Sequence, residues 1–108
     1  MRVIRYASPD GRDAFANWFE DLDAQAAAKV VIAVTRLGLG NHSNAKGVGG
    51  GVLELRIDFG PGYRVYFAED GPDVVVLLGG GTKKRQGRDI EDAHRRWREY
   101  RLRRKGDG

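Results

Sequence analysis

Arg56 and Arg64 are the residues whose type and spacing point most directly to chemistry. They lie in two segments, 52–58 and 63–68, that alternate apolar and polar residues around Phe59-Gly60-Pro61-Gly62, a pattern typical of a β-hairpin. Pairing in that hairpin would place Arg56 opposite Arg64, where two like charges repel unless an anion or Glu54 compensates them. The pair therefore predicts either an anion site or an Arg-Glu-Arg network that orders a solvated sheet face.

The same alternation sorts the hairpin into two faces. One face is expected to pack into the core and comprises Leu53, Leu55, Ile57, Tyr63, Val65 and Phe67. The other face is expected to be exposed and comprises Glu54, Arg56, Arg64 and Tyr66. On that face the Tyr66 phenol could stack on a base or shuttle a proton. Tyrosine is also common in strands without any functional role, because aromatic side chains pack well on a sheet.

Two lysines lie next to glycine-rich segments. Lys46 lies in a fourteen-residue segment, 38–51, that has six glycines and is predicted to be a long loop. Lys83 follows Gly79-Gly80-Gly81, where the predicted strand 74–78 ends and a basic turn begins. Backbone donors and a lysine at such a turn suit an anion, but the spacing is not that of a Walker phosphate loop. Each segment is therefore interpreted as an anion site or as a solvated loop.

The chain has no cysteine and two histidines, His42 and His94, which form no recognisable triad or metal spacing. Disulfides, thiolate zinc sites and thiol catalysis are excluded, and we predict neither a metal nor a cofactor. What is left is a set of cations and a phenol without an obvious general base. Phosphate-ester chemistry on RNA can proceed with such a set, because the substrate supplies its own 2′-hydroxyl nucleophile.

Positive charge is concentrated near the end of the chain. Residues 83–105 have eleven Lys or Arg and four acidic residues, a balance of +7, whereas the remaining residues have a balance of −3. Arginine outnumbers lysine fourteen to five, which suits bidentate recognition of phosphate. The pattern predicts an anionic partner, either a nucleic acid or an acidic protein.

The 108 residues fit one domain of α+β class. The patterns predict the order β-α-α-β-β-β-α. A strand over 2–7 is followed by two antiparallel helices, with Asp13 near the start of the first and Asp23 capping the second. The three later strands are followed by a terminal helix whose apolar stripe comprises Ile90, Ala93, Trp97 and Tyr100. Residues 102–108 are expected to form a flexible basic tail. No segment approaches the roughly 18 apolar residues of a membrane span, so a soluble, cytoplasmic protein is expected.

Motifs along nearly the whole chain resemble one family. They are Phe15-x-x-Trp18 with Leu22-Asp23, then Lys46-x-Val48-Gly49-x-Gly51-Val52-x-Glu54-Leu55-Arg56-Ile57, Gly60-Pro61-Gly62-Tyr63-Arg64-Val65-Tyr66-Phe67, Leu78-Gly79-Gly80-Gly81-x-Lys83-x-x-Gln86 and Asp89-Ile90-x-x-Ala93. The chain thereby resembles the addiction-module killer proteins, HigB-like members of the RelE/ParE toxin superfamily. The resemblance implies a small curved, largely antiparallel sheet with an N-terminal helical hairpin and a C-terminal helix.

The resemblance further implies the toxin of a type II toxin-antitoxin system, which cleaves mRNA on the ribosome by 2′-hydroxyl attack without a metal. It implies catalytic roles for Arg64, Arg56, Lys83 and Tyr66, and RNA binding by Lys46, Lys84, Arg85 and Arg88. Glu54 and Gln86 would give structural support. Where many relatives carry a tyrosine or histidine as acid or base, this sequence has Asp89-Ile90, so the acid or base is left open.

The partners implied by the resemblance are mRNA, the ribosome and a cognate antitoxin of helix-turn-helix type, with which the chain would form a hetero-oligomer. No membrane partner is expected. Two alternatives are compatible with the same architecture: a ParE-like inhibitor of DNA gyrase without nuclease activity, and a non-catalytic RNA-binding relative.

Overall fold

The computed structural model describes residues 1–107, which build a curved five-stranded sheet with helices on both of its faces. The strands are β1 Arg2–Arg5, β2 Ala45–Gly47, β3 Val52–Ile57, β4 Tyr63–Asp70 and β5 Val74–Thr82, and the helices are α1 Ala14–Glu20, α2 Ala24–Gly38 and α3 Gln86–Asp107. A single 3₁₀ turn, Lys83–Arg85, joins β5 to α3. The strand order is β1-β5-β4-β3-β2, with β1 parallel to β5 and every other pair antiparallel. The predicted α+β class is confirmed.

Aspartate side chains begin both helices of the N-terminal hairpin. The Asp13 carboxylate accepts a hydrogen bond of 2.9 Å from the backbone N–H of Ala16, and Asp23 accepts one of 2.8 Å from Ala26. Each bond satisfies an N–H group that the first turn of a helix leaves free. The prediction that Asp23 caps the second helix is confirmed, and α1 is short, with seven residues.

The sheet buries both of its faces. Helices α1 and α2 cover one face, where the core contains Phe15, Val30, Leu37, Leu55, Ile57, Val65, Phe67, Val75 and Leu77. Helix α3 covers the other face, where the core contains Tyr6, Val52, Tyr66, Ala68, Val76, Leu78, Ala93 and Trp97. The predicted exposed face of the hairpin is therefore wrong for Glu54, Arg64 and Tyr66, which are buried, and right only for Arg56. The reason is that the apolar stripe of α3 packs on that face.

The observed order, β-α-α-β-β-β-β-α, has one strand more than predicted. Strand β2 lies inside the glycine-rich segment 38–51 and pairs with β3, so that Lys46 is opposite Glu54. Three residues are too few to show an alternating pattern, and this strand depends on its pairing with β3. The register of the central hairpin, in contrast, has Arg56 opposite Arg64 as predicted.

The triple glycine 79–81 is part of β5 and does not end it, which corrects the predicted strand end at residue 78. A Cβ at Gly80 would overlap the Trp18 indole on one face of the sheet, and a Cβ at Gly81 would overlap the Asp89 carboxylate on the other. These glycines allow α1 and α3 to approach the same strand closely. The interpretation of this segment as a turn with free backbone donors is therefore wrong.

Helix α3 continues through residues 102–107, so the boundary predicted for a separate tail lies inside the helix. Gly108, the last residue of that predicted tail, lies outside the described residues. Within residues 1–107, no helix has the length and apolar character that crossing a membrane requires.

Substitution of Gly80 by alanine is expected to lower the free energy of unfolding by about 1–3 kcal/mol, because the added methyl group must displace the packed Trp18 ring. Urea denaturation followed by circular dichroism measures the change. Gly47→Ala is the matched control, since a Cβ on that strand residue meets nothing within 4 Å. Equal stability of the two variants would contradict the close approach.

Candidate functional site

Two adjoining clefts open beside the central hairpin, with volumes of about 220 and about 290 Å³. They share Arg56 and Asp58. Their other charged lining residues are Arg64 and Lys83 in the first cleft and Lys46 in the second. We call the combined surface lined by Lys46, Arg56, Asp58, Arg64 and Lys83 the cationic groove.

Three backbone contacts bring these cations together. The antiparallel pairing of β3 with β4 places Arg56 opposite Arg64, and the pairing of β2 with β3 places Lys46 on the same sheet face. The backbone N–H of Lys83 donates a hydrogen bond of 3.2 Å to the Gly62 carbonyl in the hairpin turn. The groove thus collects four of the predicted site residues from three strands and the 3₁₀ turn.

Arg64 is the one cation of the groove that is buried, with 5% of its surface exposed. Its Nε lies 3.4 Å from Glu54 Oε1, and its Nη1 donates a hydrogen bond of 3.0 Å to the Gly62 carbonyl. The contact with Glu54 is an ion pair, since neither Arg64 Nε nor Glu54 Oε1 has a hydrogen-bond partner among the described residues. The hydrogen bond to Gly62 orients the guanidinium group, and the side chain lines the first cleft. Arg64 is therefore a pre-positioned cation, and its orientation does not depend on a bound ligand.

Glu54 is fully buried behind Arg64. Its second carboxylate oxygen, Oε2, accepts a hydrogen bond of 2.7 Å from the Gln86 side chain at the start of α3. A buried carboxylate is tolerated when it is paired and hydrogen-bonded, and these two partners come from β4 and α3. Glu54 and Gln86, predicted to give structural support, thus lie directly behind the groove.

Tyr66 lies opposite Glu54 on β4 and has 1% of its surface exposed. Burial raises the pKa of its phenol, and the negative charges of Glu54 and Asp89 raise that pKa further. The hydroxyl is buried and has no hydrogen-bond partner among the described residues. Tyr66 therefore stays protonated under α3 and does not line the groove.

Asp89 is a half-buried carboxylate in the first turn of α3, packed against Gly81, which pairs with Arg64 in the sheet. Burial raises the pKa of this carboxyl group, and the charge of Arg85 opposes that rise. The sequence did not single it out as a site residue. Two signals pointed to it: Asp89 occupies the place where many relatives carry an acid or base, and the glycine at position 81 leaves room on that sheet face.

The remaining predicted RNA-binding residues, Lys84, Arg85 and Arg88, are exposed on the 3₁₀ turn and the first turn of α3. They do not line the groove, but they extend its positive charge along the surface. In the part of the chain that the structure describes, no carboxylate lies within 4.0 Å of these three cations or of Lys46, Arg56 and Lys83.

Asp58 and Tyr63 also line the groove and were not predicted as site residues. Asp58 is the acidic residue shared by both clefts. Its position two residues after Arg56 was an available signal, because residues two apart in an extended segment point to the same side. Tyr63 was assigned to the core and is only partly buried.

The histidines have partners outside the groove. His94 Nε2 lies 3.0 Å from the Val48 carbonyl, and His42 Nδ1 lies 3.4 Å from Glu69. Among residues 1–107, no group of three or more His, Asp or Glu side chains is arranged to hold a metal ion.

Sequence comparison supplies the family. The family described as "Phage derived protein Gp49-like (DUF891)" matches residues 17–98. The chain belongs to this Gp49-like family. It is also 42% identical over 80 residues to a protein of Haemophilus influenzae described as "Uncharacterized protein", a match that covers 73% of this chain and 81% of that relative. The Gp49-like family is associated with addiction-module killer proteins, in line with the broader resemblance that the motifs suggested.

Replacement of Glu54 by alanine is expected to lower the free energy of unfolding by about 3–5 kcal/mol, because it leaves the buried Arg64 guanidinium without its acidic neighbour. Chemical denaturation measures the loss. The control is Glu69→Ala, which removes a carboxylate that is more than one-third exposed and is expected to cost less than about 1 kcal/mol. Similar losses in the two variants would contradict the assigned role of Glu54.

Asp89→Asn is expected to change how stability depends on pH. The pKa of Asp89 is raised above 3.8 in the folded state, so between pH 3.8 and that higher pKa the folded chain binds more protons at Asp89 than the unfolded chain does. The stability that Asp89 contributes therefore falls as pH rises through this interval. The asparagine variant lacks this contribution and should gain stability relative to the wild type as pH rises above 3.8. Urea unfolding at a series of pH values measures the difference, with exposed Asp58→Asn as the control. A stability difference that does not vary with pH would contradict the raised pKa.

Proposed function

We propose that this Gp49-like protein is the toxin of a type II toxin-antitoxin system and acts as a metal-independent endoribonuclease on mRNA at the ribosome. The observation that carries the proposal is the buried Arg64 at the wall of the cationic groove, held by Glu54 and the Gly62 carbonyl. The membership of the chain in a family associated with addiction-module killer proteins supports the same function.

The groove suits a phosphodiester whose charge increases during the reaction. Arg64 is fixed before any substrate arrives, so its charge can stabilise the transition state without the cost of reorientation. Arg56 and Lys83 line the same cleft and are exposed, so they can contact phosphate oxygens from either side. Lys46, Lys84, Arg85 and Arg88 would bind the flanking phosphates.

The proposed reaction is an internal transesterification of RNA. The 2′-oxygen attacks the adjacent phosphorus, and the bond from phosphorus to the 5′-oxygen of the next nucleotide breaks. In the proposed scheme, Asp58 accepts the proton of the 2′-hydroxyl and the Lys83 ammonium group protonates the departing 5′-oxygen; in support, both residues line the same cleft as Arg64. The products are a 2′,3′-cyclic phosphate end and a 5′-hydroxyl end.

Tyr66 takes no proton in this scheme, although the resemblance implied a catalytic role for it. Its hydroxyl is buried under α3, beside the groups that hold Arg64. We propose that Glu54 and Gln86 position Arg64, and that Tyr66 contributes through its packing opposite Glu54 in the core under α3.

Substitution of Arg64 by glutamine is expected to slow cleavage by about 10²–10³-fold, because it removes charge stabilisation that acts in the transition state. Cleavage is measured by mapping new RNA 5′ ends in a reconstituted translation reaction without antitoxin.

Asp58→Asn is expected to slow the same cleavage by about 10²-fold or more and to alter the dependence of the cleavage rate on pH. Arg12→Gln, an exposed arginine distant in sequence from the groove, is the matched control and should cleave at the wild-type rate.

Expression of the same variants in cells separates this function from its rivals. Growth arrest with new mRNA ends, both lost in Arg64→Gln, supports the nuclease. Growth arrest with intact mRNA and altered plasmid supercoiling would overturn it in favour of gyrase inhibition. RNA binding without cleavage by the wild type would leave a non-catalytic RNA-binding protein.

A further inference from the structure

Beyond the proposed nuclease, a second surface on α3 has the composition of a protein-binding site. Arg98, Arg101, Leu102 and Lys105 line a shallow groove of about 290 Å³ on the C-terminal half of that helix. We infer that this α3 groove binds an acidic, amphipathic segment of a partner protein, with a partner side chain on Leu102 and carboxylates on the surrounding cations.

The α3 groove is separate from the cationic groove. Arg98 and Lys105 follow Gln86, the first residue of α3, by 12 and 19 residues, which correspond to about 18 and about 28 Å along the helix axis. No residue lines both grooves. A partner on the C-terminal half of α3 therefore need not occupy the site proposed for RNA cleavage.

Among the described side chains, the three cations of the α3 groove have no carboxylate partner, in contrast to their neighbours on the same helix. Arg95 pairs with Asp92, Arg103 with Glu99 and Arg104 with Asp70. For Arg98, Arg101 and Lys105, the side chains that the structure describes include no carboxylate within 4.0 Å. The Arg101 guanidinium lies over the Trp97 ring, 5.8 Å from its centroid, a contact that leaves its positive charge uncompensated. Cations this close together repel one another, so an acidic ligand gains from all three.

Leu102 distinguishes a protein segment from a nucleic acid. It lies among these cations with 70% of its surface exposed, one of the most exposed large apolar side chains of the described chain. The long stems of arginine and lysine extend the apolar floor around it while their charges stay at the rim. A phosphate backbone would use the rim and leave the leucine in water, whereas an amphipathic acidic segment would use both.

Binding of two defined probes to the full chain tests this inference. The first is a 16-residue helical peptide of Glu, Ala and Leu with its leucines on one face, and its control is the same composition scrambled so that the face is lost. The second is a 16-nucleotide single-stranded oligouridylate. Fluorescence anisotropy gives the dissociation constants, and amide shifts of the ¹⁵N-labelled protein locate each probe.

The amphipathic peptide is expected to shift amides of residues 98–105 and to bind at least fivefold more tightly than the scrambled peptide. Leu102→Ser and the double variant Arg98→Gln/Arg101→Gln should each weaken its binding by about tenfold. Arg95→Gln, which changes an already paired arginine, should weaken it less than twofold. Thermal unfolding of every variant verifies that these exposed substitutions leave the fold intact.

Three results would overturn the inference: equal binding of the scrambled peptide, no effect of Leu102→Ser, or peptide-induced shifts outside 98–105. Oligouridylate that shifts 98–105 more strongly than the peptide does, and is insensitive to Leu102→Ser, would make the α3 groove a nucleic-acid surface. RNA cleavage by Leu102→Ser is expected at the wild-type rate, so the outcome here is independent of whether the proposed nuclease holds.

Discussion

The buried carboxylate of Glu54 is the constraint on which the arrangement of the site depends. A charge with no access to water is tolerated only when partners compensate it, and here Gln86 donates a hydrogen bond to one oxygen while the Arg64 cation forms an ion pair with the other. One belongs to the neighbouring strand and the other begins α3. The pairing that neutralises Glu54 therefore also orients the guanidinium at the groove wall and fixes where the last helix starts.

The elements with a strong local signal could be predicted from the sequence. Alternation around Phe59-Gly60-Pro61-Gly62 predicted the hairpin and its register, and Asp23 predicted the start of α2. Strand β2 could not be predicted, because three residues have no period of their own and depend on hydrogen bonds to β3. The glycines of β5 looked like a turn because the helices that require them come from distant parts of the chain.

For the site, the sequence predicted which residues meet but not how they are buried. The Arg56–Arg64 pair follows from strand register alone. The burial of Arg64 and Tyr66 depends on how α3 packs on the sheet. That packing joins distant parts of the chain, so the sequence pattern of the hairpin alone could not predict it. Asp58 could not be assigned to the site from the hairpin pattern alone, because it follows the last residue of β3 and the two clefts that share it form only in the folded sheet.

At Gly80 and Gly81, the backbone of β5 is the one layer between helix α1 and helix α3. The Trp18 ring packs against one side of this strand and the Asp89 carboxylate against the other, at adjacent glycines. Because Gly81 lies opposite Arg64 in the sheet, a single layer of backbone separates the contact with the helical hairpin from the contact with α3 directly beside the buried cation of the groove.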